Sequence, residues 1–157
     1  MIEILHAETA EQIEETRKLF REYEKWLGLD LCFQGFEEEL ANLPAKYAKP
    51  DGRLFLASVN DKTAGCIALR KLEKDVCEMK RLFVRNEFRG LGLGKFLVEK
   101  LIEEARLIGY EKMRLDTLPE QMSKAVKLYT FYGFAEISPY YENPYKETLF
   151  LELNLKK

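Results

Sequence analysis

The stretch Arg89-Gly90-Leu91-Gly92-Leu93-Gly94 stands between an apolar run, Cys77 to Val84, and a segment whose apolar residues recur at helical spacing, Leu93 to Ile108. Glycines this close together let the backbone take turns closed to other residues and approach a ligand with no β-carbon in the way. The helix that follows turns its first N–H groups and the positive end of its dipole toward the same spot. A strand–turn–helix junction of this kind receives phosphate or pyrophosphate. It also commits the chain to an α/β fold.

The rest of the chain supplies the elements such a junction needs. Met1 to His6 reads as a strand. Thr9 and Gln12 form a capping box before a helix marked by Ile13, Thr16, Phe20, Tyr23 and Leu27, which Gly28 ends. A short helix is expected over Phe36 to Leu43, stopped by Pro44. Arg53 to Val59 and Thr63 to Leu69 read as a hairpin turning at Asn60-Asp61, and Lys74-Asp75 turns the chain into the Cys77–Val84 strand. Leu93, Phe96, Leu97, Leu101, Ala105 and Ile108 share one helix face ahead of Gly109. A strand over Lys112 to Leu118 leads to a helix from Pro119 to Tyr132. Phe134 to Ile137 and Thr148 to Leu155 close the chain as strands, separated by the aromatic loop Pro139 to Tyr145. No repeat or linker divides residues 1–157, so one mixed α/β domain is expected.

Composition narrows the function classes. A formal net charge of −2 argues against general nucleic-acid binding, which calls for a basic excess. The N-terminus shows no charged-then-apolar leader and no apolar run is long enough to span a bilayer, so a cytoplasmic protein is expected. Cys32, Cys66 and Cys77 are odd in number and lack C-x-x-C spacing, which excludes a disulfide framework and a zinc knuckle. The single histidine, His6, ends the first apolar run; it reads as a strand-end residue, and neither a multi-histidine metal site nor a supported Ser-His-Asp triad can be built.

Two other phosphate motifs fail on the residues. A P-loop requires G-x-x-x-x-G-K-[ST], but Gly94-Lys95 is followed by Phe96 and preceded five positions earlier by Arg89. A dinucleotide fingerprint requires G-x-G-x-x-G inside a βαβ unit, whereas this chain has G-x-G-x-G after antiparallel strands. Lys80, Arg81, Arg85, Arg89 and Lys95 outnumber Glu78 and Glu87 around the turn, so an acidic chain has gathered cations there.

Arg89-x-x-Gly92-x-Gly94 resembles the [Q/R]-x-x-G-x-[G/A] signature of the GNAT superfamily of N-acetyltransferases. Val84 lies five residues upstream, where the family closes its fourth strand. Gly65 in the third strand and Leu128-Tyr129-x-x-x-Gly133-Phe134 match two further family features, so the resemblance runs from about Leu54 to Leu155. It implies a mixed, mostly antiparallel sheet of about seven strands with the fourth and fifth splayed apart, and about four helices. It also implies acetyl-CoA as the acetyl donor. The pantetheine arm would pair with the backbone of Leu82, Phe83 and Val84, and the pyrophosphate would sit on the N–H groups of Gly90, Leu91, Gly92, Leu93, Gly94 and Lys95, with Arg89 ordering the loop. A nest of amides beside a lysine suits a diphosphate on physical grounds as well.

Acetyl transfer needs a neutral amine and a proton for the departing thiolate. By its match to the family tyrosine, Tyr129 is the expected acid, and a phenol of pKa about 10 suits a thiolate of similar basicity. The same tyrosine also belongs to an apolar stripe with Ala125, Leu128 and Tyr132. Glu78 lies eleven residues before Arg89, where one branch of the family places its general base; it reads equally as a solvent-facing strand residue paired with Lys80 or Arg114. Other branches carry a carboxylate where this chain has Lys80, and a family asparagine is replaced by Met122. Cys77 reads as a buried small hydrophobe, not a nucleophile.

For the acceptor, the resemblance points to the first helix pair and the last loop, here Phe33, Gln34, Tyr47, Tyr140, Tyr141 and Asn143. Aromatic walls with an amide suit a small amine or an amino-terminal group. The Glu37-Glu38-Glu39 run reads as a solvated helix face. The expected function is an acetyl-CoA-dependent N-acetyltransferase acting by direct transfer on a small-molecule or peptide amine, with no metal, nucleic-acid or membrane partner. The alternative is a non-catalytic acyl-CoA-binding module, and the family resemblance allows a homodimer through the sheet edge.

Overall fold

The computed structural model describes residues 1–29, 31 and 35–156. Seven strands form one sheet: β1 (Ile2–His6), β2 (Arg53–Val59), β3 (Lys62–Glu73), β4 (Val76–Val84), β5 (Lys112–Thr117), β6 (Ala135–Ile137) and β7 (Leu149–Asn154). Their order is β1-β2-β3-β4-β5-β7-β6. Four α-helices accompany them: α1 (Ala10–Leu27), α2 (Phe36–Ala41), α3 (Leu93–Ile108) and α4 (Ser123–Phe131). All neighbouring strands are antiparallel except β4 and β5, which run parallel. This is the α/β architecture expected above.

Alternation along the strands builds two apolar layers, one on each face of the sheet. On one face α3 lays Leu93, Leu97 and Leu101 against Ile67, Leu69, Met113 and Leu115. On the other, Leu19 and Phe20 of α1 and Phe36 and Leu40 of α2 cover Leu54, Leu56 and Phe83. The capping box forms: the Gln12 N–H donates to Thr9 Oγ1 at 3.1 Å and the Thr9 N–H donates to Gln12 Oε1 at 3.0 Å.

Two features of β4 position the site. First, it pairs with β5 only at Val76↔Lys112, Cys77↔Met113 and Glu78↔Arg114. Past Glu78 the two strands part, and the backbone of Met79–Val84 has no strand on its β5 side. Second, β4 carries a bulge against β3. Cys66 faces Phe83 and Ala68 faces Lys80, so two residues, Arg81 and Leu82, oppose Ile67 alone. Within the bulge Arg81 adopts a left-handed φ of 63°.

The bulge draws the β4 backbone against Gly65. A β-carbon built there would lie 2.6 Å from the Phe83 carbonyl oxygen and 3.3 Å from Val84 Cα. Both are main-chain atoms that move only if the bulge moves. Gly65→Ala is therefore expected to cost about 1–3 kcal/mol through overpacking, read as a lower urea midpoint at unchanged slope.

Some boundaries differ from the sequence expectation. β3 runs to Glu73, because Arg70 and its neighbours continue the hairpin with β4. α2 ends at Ala41, two residues short of Leu43. α4 starts at Ser123, not Pro119: the Met122 N–H closes a turn onto the Leu118 carbonyl at 2.8 Å, and Met122, at φ −116° and ψ 33°, interrupts the helical path.

Candidate active site

The glycine turn opens a groove of about 560 Å³ between the end of β4, the start of α3 and the start of α4. Leu82, Phe83, Val84, Arg89, Gly90, Gly92, Leu93 and Gly94 line one side, with Trp26 of α1 and residues 121–125 and Leu128 on the others. Leu91 and Lys95 do not line it; both are exposed, Lys95 on the first turn of α3. Gly90 and Gly92 hold left-handed φ values of 90° and 79°, and nothing approaches within 4 Å of a β-carbon at Gly90. No side chain caps α3 at Gly92, so its first amides are left for a ligand.

Arg89 folds back over the loop. Its Nε donates to the Val84 carbonyl at 2.9 Å, and its guanidinium lies 4.7 Å from the Trp26 ring centre. That contact ties the loop to both β4 and α1. Trp26 was not legible as a site residue, because nothing in the α1 pattern separates it from a surface aromatic.

Where β4 and β5 part, a narrow pocket of about 40 Å³ opens. Tyr129 lines it, buried and packed on Phe134 with ring centres 5.6 Å apart. The packing accords with the apolar-stripe reading, and the same ring forms part of the pocket wall. Burial, with Tyr23 and Asp116 nearby, pushes its phenol above the usual value, so it is a protonated donor at neutral pH. Thr117, at the end of β5, lines the same pocket, and its buried Oγ1 has no hydrogen-bond partner among the described residues. An orphaned hydroxyl there, together with the open β4 edge and the uncapped α3 terminus, fits an extended ligand bearing amides and a diphosphate.

A wider pocket of about 490 Å³ lies on the other side of Lys80. Tyr47, Tyr140 and Tyr141 line it, as expected, together with Glu38, Glu39, Arg70, Glu78 and Lys80. Asn143 lines the narrow pocket instead, where its Nδ2 donates to the Tyr141 hydroxyl at 2.9 Å. Phe33 and Gln34 lie outside the described residues.

The structure corrects the solvent-facing reading of Glu78, which is 1% exposed. Its Oε1 accepts from Arg70 Nε at 2.7 Å, and its Oε2 accepts from the Tyr140 hydroxyl at 2.6 Å. Lys80 Nζ stands 3.9 Å away. Arg114 pairs with Glu152 and Glu73 instead. Burial pushes the Glu78 carboxyl up, but Lys80, Arg70 and Tyr140 outweigh it and hold it below the usual range. Burial and the adjacent Arg81 hold the Lys80 ammonium below its ordinary value.

Two further carboxylates shape the site. Asp116, on β5, accepts from the Tyr141 hydroxyl at 2.7 Å, and burial pushes its carboxyl up. Glu39, read above as part of a solvated face, turns inward. Its two oxygens accept from Arg81 Nε at 3.0 Å and Nη2 at 2.9 Å, which ties α2 to the β4 bulge. Alternation could have found Asp116, since Arg114 and Asp116 share a β5 face. The Glu39–Arg81 pair depends on a bulge that no local pattern announced.

The remaining polar residues of interest are structural. His6 Nε2 accepts from the Leu54 N–H at 3.2 Å. Cys66 and Cys77 are buried, with burial pushing both thiols up. Among the described residues no helix is long and apolar enough to cross a membrane, and no cluster of His, Cys, Asp or Glu could hold a metal ion.

Comparison with known proteins agrees with this architecture. The Acetyltransferase (GNAT) family pattern matches residues 11–134. An uncharacterized N-acetyltransferase of Schizosaccharomyces pombe is 39% identical over 99% of this chain and 96% of its own length. One of Dictyostelium discoideum is 34% identical over 95% of this chain and 97% of its own. The N-acetylaspartate synthetase of Danio rerio is 35% identical over 63% of this chain, which spans 36% of that protein. Among solved structures, a GNAT-family acetyltransferase of Staphylococcus aureus superposes with a TM-score of 0.82 at 25% identity, covering 99% of this chain and 100% of that one. The PaiA N-acetyltransferase of Thermoplasma acidophilum, solved in complex with coenzyme A, gives 0.74 at 19% identity, with 98% and 99% covered. The seven-stranded sheet, with β4 and β5 parallel and splayed, is that of an acyltransferase. The chain belongs to the GNAT acetyltransferase family.

Proposed function

We propose that this protein transfers the acetyl group of acetyl-CoA directly to the primary amine of a small molecule or peptide end that also bears a carboxylate. The observation that carries this reading is that the three spaces are neighbours that share walls. Leu82 and Met122 line both the groove and the narrow pocket, and Lys80 lines both the narrow and the wide pocket. A donor lying in the groove and an acceptor in the wide pocket would then meet beside Tyr129.

Each residue then has a physical role. The glycine turn and the first amides of α3 hold the diphosphate, and the open backbone of Leu82–Val84 holds the amides of the pantetheine arm. Acetyl-CoA supplies an activated acyl group and a thiolate leaving group. Tyr129 gives its proton to that sulfur. Glu78 fixes Arg70 and Tyr140 in the acceptor wall. The likeness to the N-acetylaspartate synthetase supports an amino acid-like acceptor, as does a wide pocket lined by Arg70, Lys80, Lys46, Glu38 and Glu78.

A thiol-release assay with L-aspartate, L-glutamate, L-lysine, spermidine and tryptamine tests the reading. Turnover is expected to be fastest on the carboxylate-bearing amines. Acetyl-CoA binding with no turnover on any amine would make the protein a non-catalytic module. Within the groove, Gly92→Val forces a β-branched residue into left-handed φ, a strain of about 1–2 kcal/mol per residue. Acetyl-CoA affinity is expected to fall by about tenfold or more by titration calorimetry, because the turn must reshape to relieve it.

A further inference from the structure

Two carboxylates face the wedge where β4 and β5 part, and the protein holds them differently. Both oxygens of Glu78 are taken, one by Arg70 and one by the Tyr140 hydroxyl. Asp116 is held through Oδ2 alone, by the Tyr141 hydroxyl at 2.7 Å; among the described residues no donor reaches its Oδ1. Glu78 lines only the wide pocket, whereas Asp116 lines the narrow one with Tyr129 and Thr117. A base must stand within reach of the proton it removes, and the amine loses its proton where it meets the thioester. The geometry points to Asp116 as the group that takes the proton from the acceptor ammonium, with Glu78 as a positioning residue that locks Arg70 and Tyr140. The assignment rests on the acetyltransferase reading above.

The groups facing Asp116 suit this work. Glu78, Lys80 and Arg81 act on it from β4, and Tyr140 and Tyr141 from the last loop; Tyr23 of α1 and Tyr129 of α4 feel its charge in turn. Burial raises its carboxyl against the opposing pull of Lys80 and Tyr141, which makes it a stronger base than a surface aspartate. Lys80 lines the same pocket, so an ammonium entering beside it loses its proton more readily than in water. The protons balance. Asp116 takes one from the ammonium; the amine nitrogen bonds to the acetyl carbon as the carbon–sulfur bond breaks. Tyr129 protonates the sulfur and recovers the second nitrogen proton, and Asp116 later releases its own to solvent.

The test uses the full chain, acetyl-CoA and the fastest amine of the panel above, with kcat/KM followed from pH 5 to 9.5. Wild-type kcat/KM is expected to fall on the acid side as Asp116 protonates, at a pH above that of an ordinary aspartate. Asp116→Asn is expected to lower kcat/KM about a hundredfold at pH 7, with acetyl-CoA affinity unchanged. It should also replace the acid limb by a rise of about tenfold per pH unit that follows the neutral amine. Tyr141→Phe removes a hydrogen bond that stabilises the carboxylate, so its limb should move to higher pH. Glu78→Gln should keep the limb. The assignment is overturned if Asp116→Asn stays within threefold of wild type, if it loses rate equally at all pH values, or if Glu78→Gln alone abolishes the limb. A wild-type protein that acetylates no amine overturns the enzymatic reading itself, and this assignment with it.

Discussion

Replacing Glu39 with alanine is expected to destabilise the protein by about 3–5 kcal/mol, the usual consequence of removing one partner from a buried ion pair. Arg81 is 4% exposed and stays charged: burial works against its guanidinium, but the bidentate Glu39 carboxylate more than compensates. Without the bidentate carboxylate that charge remains in a nearly dry site over the Phe36 ring, 5.1 Å from its centre. For a chain of this size such a loss lowers Tm by about 10 °C or more, which calorimetry or thermal circular dichroism reads directly. The double variant Glu39→Leu/Arg81→Met should recover much of the loss, because apolar side chains of similar volume replace buried pairs at little cost. A single variant as stable as wild type would mean that α2 is not tied to the bulge in solution.

Tyr129→Phe is expected to lower kcat by about a thousandfold, within the range of general-acid catalysis, while leaving acetyl-CoA affinity within about twofold. The ring fills the same volume and keeps its packing on Phe134, so stability should change little. The hydroxyl is what is lost, and the two phenols of the last loop are committed elsewhere. Tyr140 and Tyr141 donate their protons to Glu78 and Asp116, and Tyr23 sits against Phe83 with ring centres 6.0 Å apart. A matched fall in affinity and rate would assign Tyr129 to packing instead of proton transfer.

The glycine-turn side of the candidate site was legible in the sequence because it depends on local chemistry. Glycines that need left-handed φ or close approach, a helix start and an arginine five residues beyond a strand end all fall within thirty residues of one another, from Gly65 to Gly94. The acceptor side was less legible because its contacts are set by register between distant strands. Tyr140 was expected as part of an aromatic wall, and its hydroxyl is committed to Glu78, 62 positions away. Glu78 was weighed against Lys80 and Arg114 as partners, but Arg70 stands opposite it in β3. Asp116 drew no notice, since a lone aspartate near a strand end has many readings until the wedge around it is seen. Pro119 misplaced the start of α4 because its helix-starting geometry was used in a separate turn.

The bulge in β4 changes more than a hydrogen-bond ladder. A strand counts by twos, so one extra residue reverses which side every later side chain takes. Up to Lys80 the even-numbered residues point toward α1 and α2; after the insertion Leu82 joins the α3 layer and Phe83 the α1–α2 layer. The insertion also lets two consecutive cations, Lys80 and Arg81, work on one side of the sheet, which an unbroken strand forbids. In this segment the number of residues matters as much as their identity: a substitution alters one contact, whereas a deletion would send Leu82 and Phe83 each toward the other's layer.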